Sequence, residues 1–169
     1  FLTGKLRNVP DFPKPGIQFK DITPLLADPQ ALQMTLDLLA QPHVGQGIVQ
    51  IVGMEARGFI FGAALAARLS AGFVPVRKPG KLPAEHDEVA YQLEYGSNVL
   101  QMHKASIRPC DRVLIVDDLL ATGGTAAATA ELVAKQGGVL HGFAFVVELD
   151  FLGGRDKLDA PVHSLIHFT

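Results

Sequence analysis

Short apolar runs rich in β-branched residues alternate along this chain with segments whose apolar residues recur every three or four positions. Residues 48–52, 73–76, 113–116 and 143–149 form the runs, and 113–116 has the composition of a strand buried on both faces of a parallel sheet. Asp28-Pro29 opens a helix, with the acid at the N-cap and proline at the first helical position. Leu32, Leu36 and Leu39 mark its buried face, it ends near Pro42, and Gly45 with Gly47 turns the chain into the first run. A second helix follows Gly58, with Gly62, Ala63, Ala66 and Ala67 small enough to lie close on a sheet. Residues 126–136 predict a third, with Leu132 and Val133 inward and Gly137-Gly138 at its C-terminal end. Two alternating segments, 89–93 and 99–102, joined around Gly96, predict a mobile hairpin, and 162–168 alternates like an edge strand. Residues 1–23 carry Pro10, Pro13, Pro15 and Gly16 and are expected to be ordered but not helical. Strands alternating with helices predict an α/β fold with a mostly parallel sheet and ligand loops at the carboxyl ends of its strands.

With 169 residues, 48% of them hydrophobic, the chain is long enough for one domain with a sizeable core. A net charge of −2 from 15 basic and 17 acidic residues gives no global field for nucleic acid or an anionic membrane, so any anion site must be local. Cys110, the single cysteine, cannot close an internal disulfide, which suits a reducing cytosol and a cytoplasmic location; it reads as a small packing residue. The most apolar stretch, 59–67, is interrupted by Gly62 and bounded by Arg57 and Arg68, far short of the roughly 20 residues that span a bilayer. No signal peptide is visible, and a first residue other than methionine suggests that the leading residues were processed, trimmed or not included. His43 is expected at the surface. His163 and His167 share one side of the last strand, which is no zinc pattern without further ligands.

The densest chemistry lies in 113–125, V-L-I-V-D-D-L-L-A-T-G-G-T. The strand is expected to end on Asp117 and Asp118, and the loop Ala121, Thr122, Gly123, Gly124, Thr125 then lacks bulk. Its two glycines permit positive φ and close approach of a ligand to the backbone. The loop would sit at a helix N-terminus, where N–H groups and the macrodipole favour a phosphate. The acids call for a partner of another kind: a ribose diol donating to both carboxylates, a metal ion, or only solvent at a strand-to-helix turn. A Walker A loop is excluded by the missing Gly-Lys-Ser/Thr ending. Elsewhere, Arg57 offers a guanidinium fork suited to diphosphate oxygens beside Glu55, the lesser alternative being a surface ion pair between the two. Arg77, Lys78 and Lys81 put three cations within five residues at a strand end, and Glu94 rides on the hairpin, where drying would suit it to proton transfer.

The acidic pair followed by A-T-G-G-T resembles the phosphoribosyl diphosphate signature of the type I phosphoribosyltransferases. Residues 11–24 (D-F-P-K-P-G-I-Q-F-K-D-I-T-P), 53–61 (G-M-E-A-R-G-F-I-F), 76–83 (V-R-K-P-G-K-L-P) and 93–96 (L-E-Y-G) are similar, more narrowly, to members that use adenine, and the likeness runs from about residue 12 to 158. It implies one domain of that fold, with 1–24 as a hood over the base and 78–103 as a lid hairpin. It implies transfer of the 5-phosphoribosyl group to N9 of adenine, giving AMP and diphosphate, with magnesium arriving on the diphosphate substrate rather than in a protein metal site, and a cytoplasmic homodimer. By the same resemblance Asp117, Asp118 and 121–125 hold the phosphoribosyl group. Glu55, Ala56, Arg57, Arg77, Lys78 and Lys81 meet the diphosphate, commonly through a cis peptide after Glu55, and Gln18, Phe19 and Lys20 read adenine, mainly by main-chain groups. Ala121 stands where relatives acting on 6-oxopurines carry an aspartate, so proton handling falls to Glu94, water or a backbone group; Arg57 and Lys81 join Glu94 as catalytic candidates.

Overall fold

The computed structural model describes residues 1–92 and 96–169, and the chain divides into two compact units, Phe1–Leu38 and Leu39–Thr169. The first unit opens with a 3-10 turn, Leu2–Lys5, followed by strands β1 (Arg7–Pro10) and β2 (Gln18–Asp21), paired antiparallel with Arg7 opposite Asp21. A short helix α1 (Thr23–Ala27) precedes α2 (Pro29–Ala40). The Asp28 carboxylate accepts the amide N–H groups of Gln30 and Ala31, each at 3.0 Å, which is the N-cap expected of Asp28-Pro29. The buried face of α2 is built from Ala31, Thr35, Leu36 and Leu39, with Leu32 only half-buried. The sequence pattern does not show α1, whose five residues are too few to display a period.

The second unit contains β3 (Gln50–Met54), α3 (Gly58–Leu69), β4 (Gly72–Val76), a hairpin of β5 (His86–Gln92) and β6 (Ser97–His103), then β7 (Arg112–Leu120), α4 (Gly124–Lys135), β8 (Val139–Leu149) and β9 (Val162–Phe168). Its sheet has the order β4-β3-β7-β8-β9, with every neighbouring pair parallel and β9 at one edge. The chain moves outward from β3 to β4, returns to β7 and then proceeds the other way. The reversal therefore lies between β3 and β7, and the crevice beyond their carboxyl ends is where open α/β sheets bind ligands. Instead of ending on the acids, β7 carries them within the strand: Leu119 and Leu120 still pair with Val147 and Glu148.

One face of the sheet, with Val52, Val74, Ile115, Phe143 and Phe145, shares a core with Leu132 and Val133 of α4 and with Val89, Leu100 and Met102 of the hairpin. The hairpin is fastened to the end of α4 as well: Lys135 Nζ donates to the Glu88 carbonyl at 2.8 Å, and Gln136 Nε2 to Asp87 Oδ2 at 2.9 Å. The root of the segment read as mobile thus packs into the core. α3 lies close on the sheet, as its small residues imply; a Cβ at Gly62 would come within 2.7 Å of the Phe73 ring.

His43 is buried, not at the surface, with 7% of its area exposed. Its Nδ1 lies 3.2 Å from His141 Nε2, and His163 packs edge-on against it. The Arg112 guanidinium donates to His141 Nδ1, so the other ring nitrogen of a neutral His141 carries the proton and donates to His43. Burial, then the proximity of His141 and His163, lowers the His43 pKa from 6.5 to about 4. The unfolded chain thus binds more protons between these values, and stability falls as pH drops from 6.5 towards 4. In urea titrations at about pH 7 and about pH 4.5, His43→Phe is expected to flatten this loss by on the order of 2 kcal/mol. Equal losses in the two proteins would count against the assignment.

Candidate active site

The loop after β7 turns on Gly123, which has φ 80° and immediately precedes α4. Among the described residues no side chain caps α4, and its first turn holds no acid, so the orphan N–H groups and the positive end of the helix suit an outside anion. They face a pocket of about 90 Å³ lined by Asp117 and residues 121–125. Behind the loop, a Cβ on Gly123 would strike the Gly154 carbonyl, and one on Gly154 would strike the Ala121 carbonyl. Two glycines far apart in the chain therefore let the loop and the turn after β8 back onto each other. Gly154 is a part of the site that sequence reasoning missed, because nothing local in its surroundings signals the contact.

Asp117 and Thr125 also line a larger cleft of about 400 Å³, together with Glu55, Ala56, Arg57, Lys78 and Asp118. The Glu55-Ala56 peptide is cis, as the resemblance implied. Asp118 is 5% exposed and meets Arg57 Nε at 2.6 Å through Oδ2. Asp117 Oδ1 accepts the Asp118 amide N–H at 2.8 Å. Burial first, and then the neighbouring Asp118 charge, pushes the Asp117 carboxyl well above the usual carboxylate range. Glu55 does not pair with Arg57. It accepts from Arg77 Nε at 3.1 Å, from the Lys78 amide at 2.7 Å and from Lys81 Nζ at 2.5 Å. Its partial burial raises the pKa, but Lys81, the Lys78 amide and Arg77 outweigh this and bring it down to about 2. Glu55 is therefore ionised at neutral pH, with the cationic turn folded around it. The cleft also takes in Tyr91, Asn98 and Leu100 from the hairpin, none of which the sequence singled out.

The phosphoribosyl transferase domain family matches residues 24–165. An adenine phosphoribosyltransferase from Sorangium cellulosum is 70% identical, the match covering 100% of this chain and 88% of that protein. The chain belongs to the adenine phosphoribosyltransferase family. Its fold is that of solved members: the enzyme from Rhodothermus marinus superposes with a TM-score of 0.95 at 52% identity, covering 99% of this chain and 96% of the other. The Saccharomyces cerevisiae enzyme, solved with an imino-altritol bisphosphate and adenine, gives a TM-score of 0.91 at 46% identity over 97% and 96%.

Of the residues expected to serve phosphoribosyltransferase chemistry, the cleft and the adjoining pocket gather Glu55, Ala56, Arg57, Lys78, both aspartates and the 121–125 loop. Arg77 and Lys81 do not line either space and attach through Glu55; Arg77 also lies over the Phe59 ring, 5.8 Å from its centroid. In the first unit, Phe19 packs edge-on against Phe12 at 5.1 Å, Lys20 Nζ donates to Asn8 Oδ1 at 2.7 Å, and Gln18 is exposed. Glu94 lies outside the described residues. Among the described residues, the one group of three possible metal ligands is Glu148, Asp150 and His167, and Arg155 already donates to both Glu148 oxygens, at 2.9 and 2.5 Å. No helix among them is long and apolar enough to cross a membrane.

Proposed function

We propose that this chain transfers the 5-phosphoribosyl group of phosphoribosyl diphosphate to N9 of adenine, forming AMP and diphosphate with inversion at C1. The observation that carries the reading is one cleft at the sheet's reversal, joining the start of a helix, an acidic pair of which Asp118 is buried and Asp117 half-buried, and an arginine. The names borne by its relatives supply the acceptor. The 121–125 loop takes the 5′-phosphate, and Asp117 and Asp118 hold the ribose hydroxyls. As the bond to diphosphate lengthens, the ribose ring becomes oxocarbenium-like, and the two acids balance its positive charge.

Arg57 and Lys78 stabilise the departing diphosphate. Asp118 meets Arg57 at 2.6 Å, so the ribose-holding acid and the diphosphate-binding cation stand side by side. Glu55, held ionised, organises Arg77, Lys78 and Lys81 rather than meeting the diphosphate itself. Magnesium comes with the diphosphate: of the three carboxylates that line the cleft, Asp118 is engaged by Arg57 and Glu55 by the 77–81 turn, which leaves Asp117 and too few oxygens for an all-protein magnesium cage. Bound there, the ion would neutralise charge on the leaving group. Base recognition by Gln18, Phe19 and Lys20, proton handling by Glu94, operation as a single domain, a homodimer and a cytoplasmic location complete the proposal, and these rest on family resemblance.

The test is AMP formation from adenine and phosphoribosyl diphosphate with magnesium. AMP and diphosphate in equal amounts are expected. Tight binding of phosphoribosyl diphosphate with no AMP formed would instead point to a regulatory binding module.

A further inference from the structure

Thr125 belongs to both the small pocket and the cleft, and its hydroxyl is already engaged: the Tyr91 phenol oxygen lies 3.0 Å from Thr125 Oγ1. Tyr91 arrives from the hairpin, 34 residues away, and its ring occupies the space that a side chain at Gly124 would need, with Cδ2 3.3 Å from a Cβ built there. At the other end of the same strand, Asp87 and Glu88 are tied to the last turn of α4. β5 therefore spans the helix and sets where the phenol stands relative to the loop.

The direction of the hydrogen bond follows from chemistry. A threonine hydroxyl has one proton to give and two lone pairs to accept with. A phosphate in the loop can only accept, so Thr125 must turn its proton towards it; the phenol then donates to Thr125 Oγ1. The Thr125 carbonyl is separately held by the Thr129 hydroxyl at 2.8 Å, which fixes the backbone and leaves the Thr125 side chain to Tyr91. We infer that Tyr91 is a positioning residue that holds the Thr125 hydroxyl as a donor towards the 5′-phosphate of phosphoribosyl diphosphate and of AMP. The inference rests on the reading of 121–125 as the 5′-phosphate site.

AMP and adenosine differ only in that phosphate, so their affinities for wild type, Tyr91→Phe, Thr125→Val and the double variant test it. Tyr91→Phe is expected to weaken AMP about fivefold, the size of one hydrogen bond, and to leave adenosine unchanged. Adding it to Thr125→Val is expected to cost nothing further, since the relay is already cut. In turnover, its loss appears as a raised KM for phosphoribosyl diphosphate rather than a lowered kcat. AMP binding equal to wild type, equal weakening of both ligands, or multiplying effects in the double variant would overturn the role. Wild-type protein that binds AMP no better than adenosine would instead overturn the phosphate site itself, and the role of Tyr91 with it.

Discussion

Gly123→Ala is expected to weaken phosphoribosyl diphosphate binding by more than about a hundredfold. At φ 80°, any residue with a Cβ is strained by about 1–3 kcal/mol. The added methyl would also collide with the Gly154 carbonyl, a backbone atom that cannot rotate aside. Relief requires the loop to move forward into the pocket of about 90 Å³, where the anion is to sit, or the turn after β8 to move back. Either shift misaligns the N–H groups at the start of α4, and together the terms exceed the roughly 2.7 kcal/mol that corresponds to a hundredfold. Gly80 is the control. It has φ 81° but, among the described residues, nothing within 4 Å of its would-be Cβ, so Gly80→Ala carries the conformational strain without the collision. Calorimetric titration of both variants checks the expectation; a Gly123→Ala protein within a few-fold of wild type would contradict the described loop.

Arg57→Gln is expected to lower kcat by about 10²–10³, the usual cost of removing one preorganised electrostatic group. It does so through two routes. The diphosphate loses a fork-shaped donor, and the acidic pair loses the cation that Asp118 meets at 2.6 Å. Asp117 is already raised by burial and by its neighbour, and Arg57 acts against that rise. Without the guanidinium the pair holds its protons to higher pH. Since ionised acids are needed to hold and balance the ribose, the acid limb of kcat/KM is expected to move upward in pH. A pH-rate profile whose acid limb stays in place would show that Arg57 serves the leaving group alone.

The parts of the site that lie next to one another in the chain were legible in the sequence: a β-branched run, two acids and a glycine-containing loop before a helix. Contacts across the fold were not. Gly123 and Gly154 meet across the fold, and neither sequence neighbourhood needs the other to make sense. Glu55 and Arg57, near neighbours in the chain, left a surface pair open as the lesser alternative to a diphosphate fork; the turn sends Arg57 to Asp118 and leaves Glu55 to Arg77 and Lys81. The alternation of 89–93 and 99–102 gave the hairpin, but alternation cannot say what covers the apolar face, and Val89, Leu100 and Met102 prove to be core residues. His43 looked like a surface residue because its partners, His141 and His163, come from distant strands.

Adenine as the acceptor is tested most directly by diphosphate release from phosphoribosyl diphosphate and magnesium with adenine, hypoxanthine, guanine and orotate supplied separately. Release with adenine alone is the predicted result. Release with one of the other bases and none with adenine would contradict the assignment while leaving the phosphoribosyl site intact.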